Sequence, residues 1–96
     1  DKPLVVLVHG SMDRSSAFAR VQRHLADLHV VRYDRRGYGR SLELGPPPGF
    51  DHQVEDLEHV MAGRHGVVVG HSLGGVVALA LAQRRPELVR AVVAYE

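Results

Sequence analysis

The chain contains no cysteine. A disulfide framework, a thiolate metal site and a cysteine nucleophile are all excluded. Long apolar runs are also lacking: the longest, residues 76–82, is far too short to cross a bilayer. No signal peptide is visible, because the chain opens on Asp1-Lys2-Pro3 and passes straight into a strand-like run. These absences together lead us to expect a cytoplasmic protein with no membrane partner. The missing initiator methionine adds the expectation that residues precede Asp1. An excess of one charge sign is absent too. The net charge of +1 gives no field to attract nucleic acid or a membrane surface. The four arginines Arg32, Arg35, Arg36 and Arg40 cluster, and the simplest reading of them is a solvated loop.

Phosphate and metal signatures are likewise missing. Residues 70–75 lack the Lys-Ser/Thr pair of a P-loop. Gly37-Tyr38-Gly39 is followed by Leu42 where the Rossmann spacing needs a third glycine, and no H-E-x-x-H occurs. His52, Asp56 and His59 can share one helix face, but beside Glu55 and Glu58 they read as a solvated face rather than a metal site. No cofactor is expected.

What is present suits one small soluble domain. There are 96 residues, enough for a single core. Apolar residues make up 45% and charged residues 24%, a balance that argues against disorder. Four short aliphatic runs stand out, at 4–8, 29–33, 67–69 and 91–95. None alternates apolar with polar, so they are predicted to be strands buried on both faces, as in a parallel sheet. Three helix-like segments lie between them. The first spans residues 15–28, with Phe18, Val21, Leu25 and Leu28 on one face and Ser15 or Ser16 as cap. The second spans 51–62, with Val54, Leu57 and Met61 on one face, Asp51 as N-cap and Gly63 as terminator. The third starts at Ser72 or Leu73, runs to about Arg84 and is stopped by Pro86. It is apolar on nearly all sides and is expected to be well buried. The pattern βαβαβαβ predicts a four-stranded parallel sheet with three helices in an αβα sandwich of three layers. The segment 45–49, Gly-Pro-Pro-Pro-Gly, reads as a rigid surface loop.

The third strand leads into Gly70-His71-Ser72-Leu73-Gly74-Gly75. This is G-x-S-x-G between a strand and a helix, the setting in which a serine is exposed on a strained turn. Glycines at 70 and 74 suit such a turn because neighbours two before and two after the serine come close together. Gly75 lets the helix approach the sheet. The spacing aims the Leu73 N–H, at the positive end of a helix, toward a developing oxyanion.

Three landmarks together resemble the α/β-hydrolase family. They are Val8-His9-Gly10, then Asp34-Arg35-Arg36-Gly37-Tyr38-Gly39-Arg40-Ser41, then Gly70-His71-Ser72-Leu73-Gly74-Gly75. Their order and spacing are similar to that family's, from its third strand to its sixth. The resemblance implies that residues 1–96 are a partial α/β-hydrolase domain lacking the first two strands, the last two strands and the cap. It implies Ser72 as nucleophile, with Leu73 and Ser11 N–H groups as the oxyanion hole and Met12 as the alternative to Ser11. His9 and Asp34 are implied to organise loops, and His71 is not the base. Haloalkane dehalogenases and epoxide hydrolases resemble this framework but carry aspartate at the elbow, which Ser72 opposes. The expected function is hydrolysis of an ester, thioester or related carbonyl in a small-molecule substrate through an acyl-enzyme. The subtypes that share an elbow serine, from esterases to lyases and haloperoxidases, are not separated.

The same fold orders its triad as Ser, then Asp or Glu, then His. Residues 73–96 contain neither histidine nor aspartate, only Glu87 and Glu96. Glu87 reads as a surface residue, and Glu96 as a rim carboxylate or, in a minority pattern, the orienting acid. The base must therefore come from sequence not present in residues 1–96 if the chain serves an enzyme. A non-catalytic ligand-binding module and an inactive truncated product are the rival expectations. By the resemblance the strands order as second, first, third, fourth, leaving apolar edges that invite aggregation or pairing.

Overall fold

The computed structural model describes residues 2–10, 18–35 and 49–95. Four strands and three helices alternate: β1 (Leu4–Val8), α1 (Ala19–Gln22), β2 (His29–Arg32), α2 (Phe50–Met61), β3 (Gly66–His71), α3 (Leu73–Arg84) and β4 (Val89–Tyr95). All pairings are parallel, as the sequence pattern predicts, and the sheet order is β2-β1-β3-β4, as the family resemblance implies.

Among the described residues β1 is the only strand buried along its whole length. Its side chains alternate between two cores, as the two-residue period of a strand requires. Leu4, Val6 and Val8 join Val54, Leu57 and Met61 of α2 and Val77, Ala78 and Leu81 of α3. Val5 and Leu7 face the other way, against Phe18 before α1. The sandwich therefore has three layers, with α2 and α3 on one face and α1 on the other. Each large aliphatic side chain fully buried in these layers contributes roughly 1.5–3 kcal/mol relative to exposure.

The structure corrects four of the expected details. Within 18–35 the first helix is a single turn, and residues beyond it form tight i to i−3 turns at His24, Leu25 and Leu28. Phe18 is buried and Leu28 packs against the same cluster while Val21 is exposed, so a long helix has little to pack. The proposed caps Ser15 and Ser16 lie outside the described residues.

α2 begins one residue earlier than predicted, with Gly49 rather than Asp51 at the N-cap and no side-chain cap bond. Asp51 sits in the first turn, where its charge still complements the helix dipole. The helix ends at Ala62, in the left-handed conformation at φ 54°, followed by Gly63 at φ 73°. Arg64 closes that end by donating from its guanidinium to the carbonyls of Met61 and Val60 at 2.9 and 3.0 Å.

α3 is not buried on all sides. Gly74, Gly75, Val77, Ala78 and Leu81 face the sheet and α2, but Val76 and Leu79 are 51% and 53% exposed. Nor are all strands buried on both faces. β2 and β4 are edges, and most of β4, including Val93 and Tyr95, is open to solvent. Among the described residues both edges are thus unpaired, as the order of strands dictates.

Candidate active site

In open α/β sheets ligands bind beyond the carboxyl ends of the strands, where the strand order reverses. Here that reversal falls between β1 and β3. The connection from β1 runs outward to β2, while β3 and β4 continue on the opposite side. Val8 pairs in register with Gly70, so the two strands deliver His9-Gly10 and His71-Ser72 to the same point.

Ser72 stands at the start of α3 with φ 54° and ψ −119°, one of two non-glycine residues at positive φ among the described residues. An L residue held there stores strain of about 1–3 kcal/mol. A serine at a helix N-cap ordinarily turns its hydroxyl onto the backbone of the first turn. Ser72 makes no such cap bond, and the residue is exposed. Its backbone does the anchoring instead. The N–H donates to Tyr95 O at 2.6 Å, and the carbonyl accepts from Gly75 N–H at 2.9 Å. Leu73, as the first helical residue, has no intrahelical acceptor for its N–H.

The glycines of the turn are required by close approach. A Cβ on Gly70 would lie 2.5 Å from the carbonyl of Gly74, the collision that the sequence suggests. A Cβ on Gly74 would meet β1 rather than Gly70, striking the Val8 carbonyl oxygen and reaching His9 O at 2.7 Å. Gly75 admits the helix to β4, its hypothetical Cβ falling 2.9 Å from Ala94 Cβ.

Gly10 is the neighbour of Ser72 across the switch point. A Cβ there would stand 3.2 Å from Ser72 Cβ and 3.0 Å from His71 O. Ser11, the expected second N–H donor, and Met12 lie outside the described residues, as do Gly37, Gly39, Arg36, Arg40 and Glu96. His71 packs its ring on Tyr95, with centroids 5.0 Å apart. Glu87 is an exposed partner of Arg85 at 2.6 Å, and that hydrogen bond lowers its pKa.

Sequence reasoning missed what holds the loop below Gly10. Arg35, expected in a solvated loop, is 2% exposed. Its backbone N–H donates to His9 Nε2 at 2.8 Å and its Nε–H to His9 O at 3.0 Å. Its Nη1 donates to Oε1 of Gln53, itself buried on α2. Because His9 Nε2 accepts, the ring proton sits on Nδ1 and is donated to Gly10 O at 2.8 Å. Nearby Tyr33 has a buried hydroxyl with no hydrogen-bond partner among the described residues. Burial pushes its phenol far above the ordinary range. The Arg35 charge opposes that rise and Asp56 adds to it.

Three surface grooves among the described residues lie away from the switch point. One of about 420 Å³ runs between α2 and α3, lined by Glu55, Glu58, His59, Arg84 and Arg85. Two others flank Lys2 at the amino edge of the sheet, away from the switch point. Among the described residues no group of three or more His, Asp or Glu is arranged to hold a metal ion. No helix among them is long and apolar enough to cross a membrane.

The profile of the alpha/beta hydrolase family matches residues 5–96. The chain belongs to that family. It is 34% identical over 100 residues to the uncharacterized hydrolase YraK of Bacillus subtilis, covering 98% of this chain and 37% of that protein. It is 35% identical over 92 residues to lipase LipV of Mycobacterium tuberculosis, covering 93% of this chain and 35% of that one. Among solved structures, epoxide hydrolase A from Mycobacterium thermoresistibile superposes with a TM-score of 0.84 at 27% identity. That match covers 97% of this chain and 31% of the other. The chain thus spans about a third of the length of the relatives it matches.

Proposed function

We propose that this chain carries the nucleophile half of a serine hydrolase acting on an ester, thioester or related carbonyl substrate. The observation that carries the reading is Ser72. It is exposed at the switch point, held at positive φ, with its hydroxyl left out of the helix cap it would otherwise make. The lipase among the relatives supports an ester bond as the target. The epoxide hydrolase among the structures shares the framework, but a serine at the elbow favours acyl transfer over the aspartate chemistry of that group.

In this reading a base takes the Ser72 Oγ proton as the oxygen attacks the carbonyl carbon. Charge develops on the carbonyl oxygen, where the Leu73 N–H and the Ser11 N–H meet it, and the dipole of α3 adds to their field. Collapse expels the alkoxide or thiolate, which recovers the proton, and water then releases the acid from the serine ester. Residues 73–96 supply no histidine, so the reading requires a base from outside residues 1–96. Oxyanion stabilisation without it leaves a rate several orders of magnitude below an intact triad. No cofactor enters this chemistry.

A fluorophosphonate probe on the full-length protein tests the proposal. Peptide mapping is expected to find the label on Ser72, and Ser72→Ala is expected to abolish it. A folded full-length protein that takes no label at Ser72 sinks the enzyme reading and leaves the ligand-binding scaffold.

A further inference from the structure

The mechanism above uses Ser72, Leu73 and the loop after Gly10, but it does not account for a buried arginine. An arginine charge taken out of water costs several kcal/mol unless its donors are met. The fold meets Nε–H with the His9 carbonyl, just past β1, and Nη1 with the amide oxygen of Gln53 on α2. That arrangement is costly for a surface loop and suits the task of fixing one element against another.

The connections form a single chain of contacts. Gln53, on the buried face of α2, accepts from Arg35 Nη1. Arg35, just beyond β2, grips His9 twice, through backbone N–H to Nε2 and through Nε–H to the His9 carbonyl. His9 passes the constraint on, its Nδ1–H bonded to Gly10 O at 2.8 Å. Gly10 packs against the Ser72 side chain, with 3.2 Å from a hypothetical Cβ to Ser72 Cβ. The other side of His9 lies close to the start of α3, its carbonyl 2.7 Å from where a Gly74 side chain would begin. His9-Gly10 is therefore held between the helix that starts at Ser72 and the helix that carries Gln53.

We infer that Arg35 and Gln53 are positioning residues for the oxyanion side of the site, clamping the His9-Gly10 turn at a set distance from Ser72 through the Nδ1–H tautomer of His9. The inference rests on the reading of Ser72 as nucleophile. Neither residue touches substrate. Their effect is on where the peptide after Gly10 presents its donor, and a donor displaced by a fraction of an ångström is lost to the transition state more than to the ground state.

The test uses the full-length protein and three variants. Gln53→Leu removes the acceptor at similar volume, Gln53→Glu keeps an acceptor, and Arg35→Met removes the clamp outright. Should Arg35→Met fail to fold, the Gln53 pair decides alone. In Gln53→Leu, kcat on an activated ester and the rate of fluorophosphonate labelling are expected to fall about 10-fold or more, as for a misplaced catalytic group. KM is expected to stay within about twofold. Gln53→Glu should restore both rates to within about threefold of the parent. Nitrogen-15 spectra of the His9 ring should show a single Nδ1–H tautomer in the parent and in Gln53→Glu, and an altered ring signature in Gln53→Leu. A folded Gln53→Leu that melts lower yet keeps kcat, labelling rate and His9 spectrum overturns the inference and leaves Arg35 with a purely structural role. Failure of the parent itself to label at Ser72 is a different result. It removes the serine-hydrolase reading, and the positioning role falls with it.

Discussion

Replacing Gly74 by alanine sets two physical effects of opposite sign against each other. Gly74 is the second residue of α3. On helix propensity alone, alanine is favoured over glycine by about 1 kcal/mol. The structure predicts the reverse. The new methyl carbon would collide with the Val8 carbonyl oxygen and sit 2.7 Å from His9 O and 2.8 Å from the Val8 carbonyl carbon. These are backbone atoms at the end of β1, which is paired to β2 on one side and to β3 on the other. They cannot rotate aside as a side chain would. Relief requires α3 to lift by roughly 0.7 Å or more, and a gap of that size forfeits about a quarter to a half of each van der Waals contact it opens. The contacts at risk are those of Val77, Ala78 and Leu81 with the larger core. Overpacking of this kind costs about 1–3 kcal/mol, and the rigidity of the struck atoms places it at the upper end. After the gain in propensity, Gly74→Ala is expected to be destabilised by about 2 kcal/mol, a fall in Tm of about 10 °C for a domain of this size. Urea unfolding at fixed pH measures it as a lower midpoint at unchanged slope. A variant as stable as the parent, or more so, would refute the packing of the elbow against β1.

Two further predictions follow from single residues. Ser72→Gly is expected to be more stable than Ser72→Ala by about 1 kcal/mol, because relief of backbone strain exceeds the extra entropy of glycine in the unfolded chain. Thermal melts of the two variants side by side decide it, and an alanine variant at least as stable would remove the argument from strain. Tyr33→Phe is expected to gain about 1 kcal/mol near neutral pH by removing a buried hydroxyl that lacks a partner among the described residues. The pH dependence has a definite sign. The Tyr33 phenol has a raised pKa in the fold, so it holds its proton longer folded than unfolded. Its contribution is therefore intact below the ordinary phenol pKa of about 10 and is lost as pH climbs above it. The gap between Tyr33→Phe and the parent should accordingly widen from pH 9 to pH 11 in urea midpoints, and a constant gap would refute the burial of that hydroxyl.

The features legible in the sequence are those carried by local pattern. The parallel sheet, the start of α3 and the strand–turn–helix setting of Ser72 follow from short apolar runs punctuated by glycine, while the strand order came only through the resemblance to a family. Features that depend on distant partners were not legible. Nothing in Asp34-Arg35-Arg36 distinguishes the one arginine that turns inward, because its acceptors are 26 residues before it on His9 and 18 after it on Gln53. The exposure of Val76, Leu79 and Val93 was hidden for a related reason. An apolar side chain records affinity for a neighbour, whereas burial depends on which neighbour is beside it. Ala62 takes the left-handed position at the end of α2 one residue ahead of the glycine that pattern alone would choose, and the side chain of Arg64 reaches back to the carbonyls there.

The hydrogen bond from the Ser72 amide to the last residue of β4 ties the two ends of a lever together. The serine's amide proton is shielded by an edge strand, so its exchange with solvent deuterium will follow the opening of that edge rather than that of the buried centre of the sheet. Whatever grips or releases the rim of the sheet at Tyr95 will therefore be felt at the Ser72 backbone through that one hydrogen bond, and the Ser72 amide becomes a built-in gauge of how firmly that rim is closed.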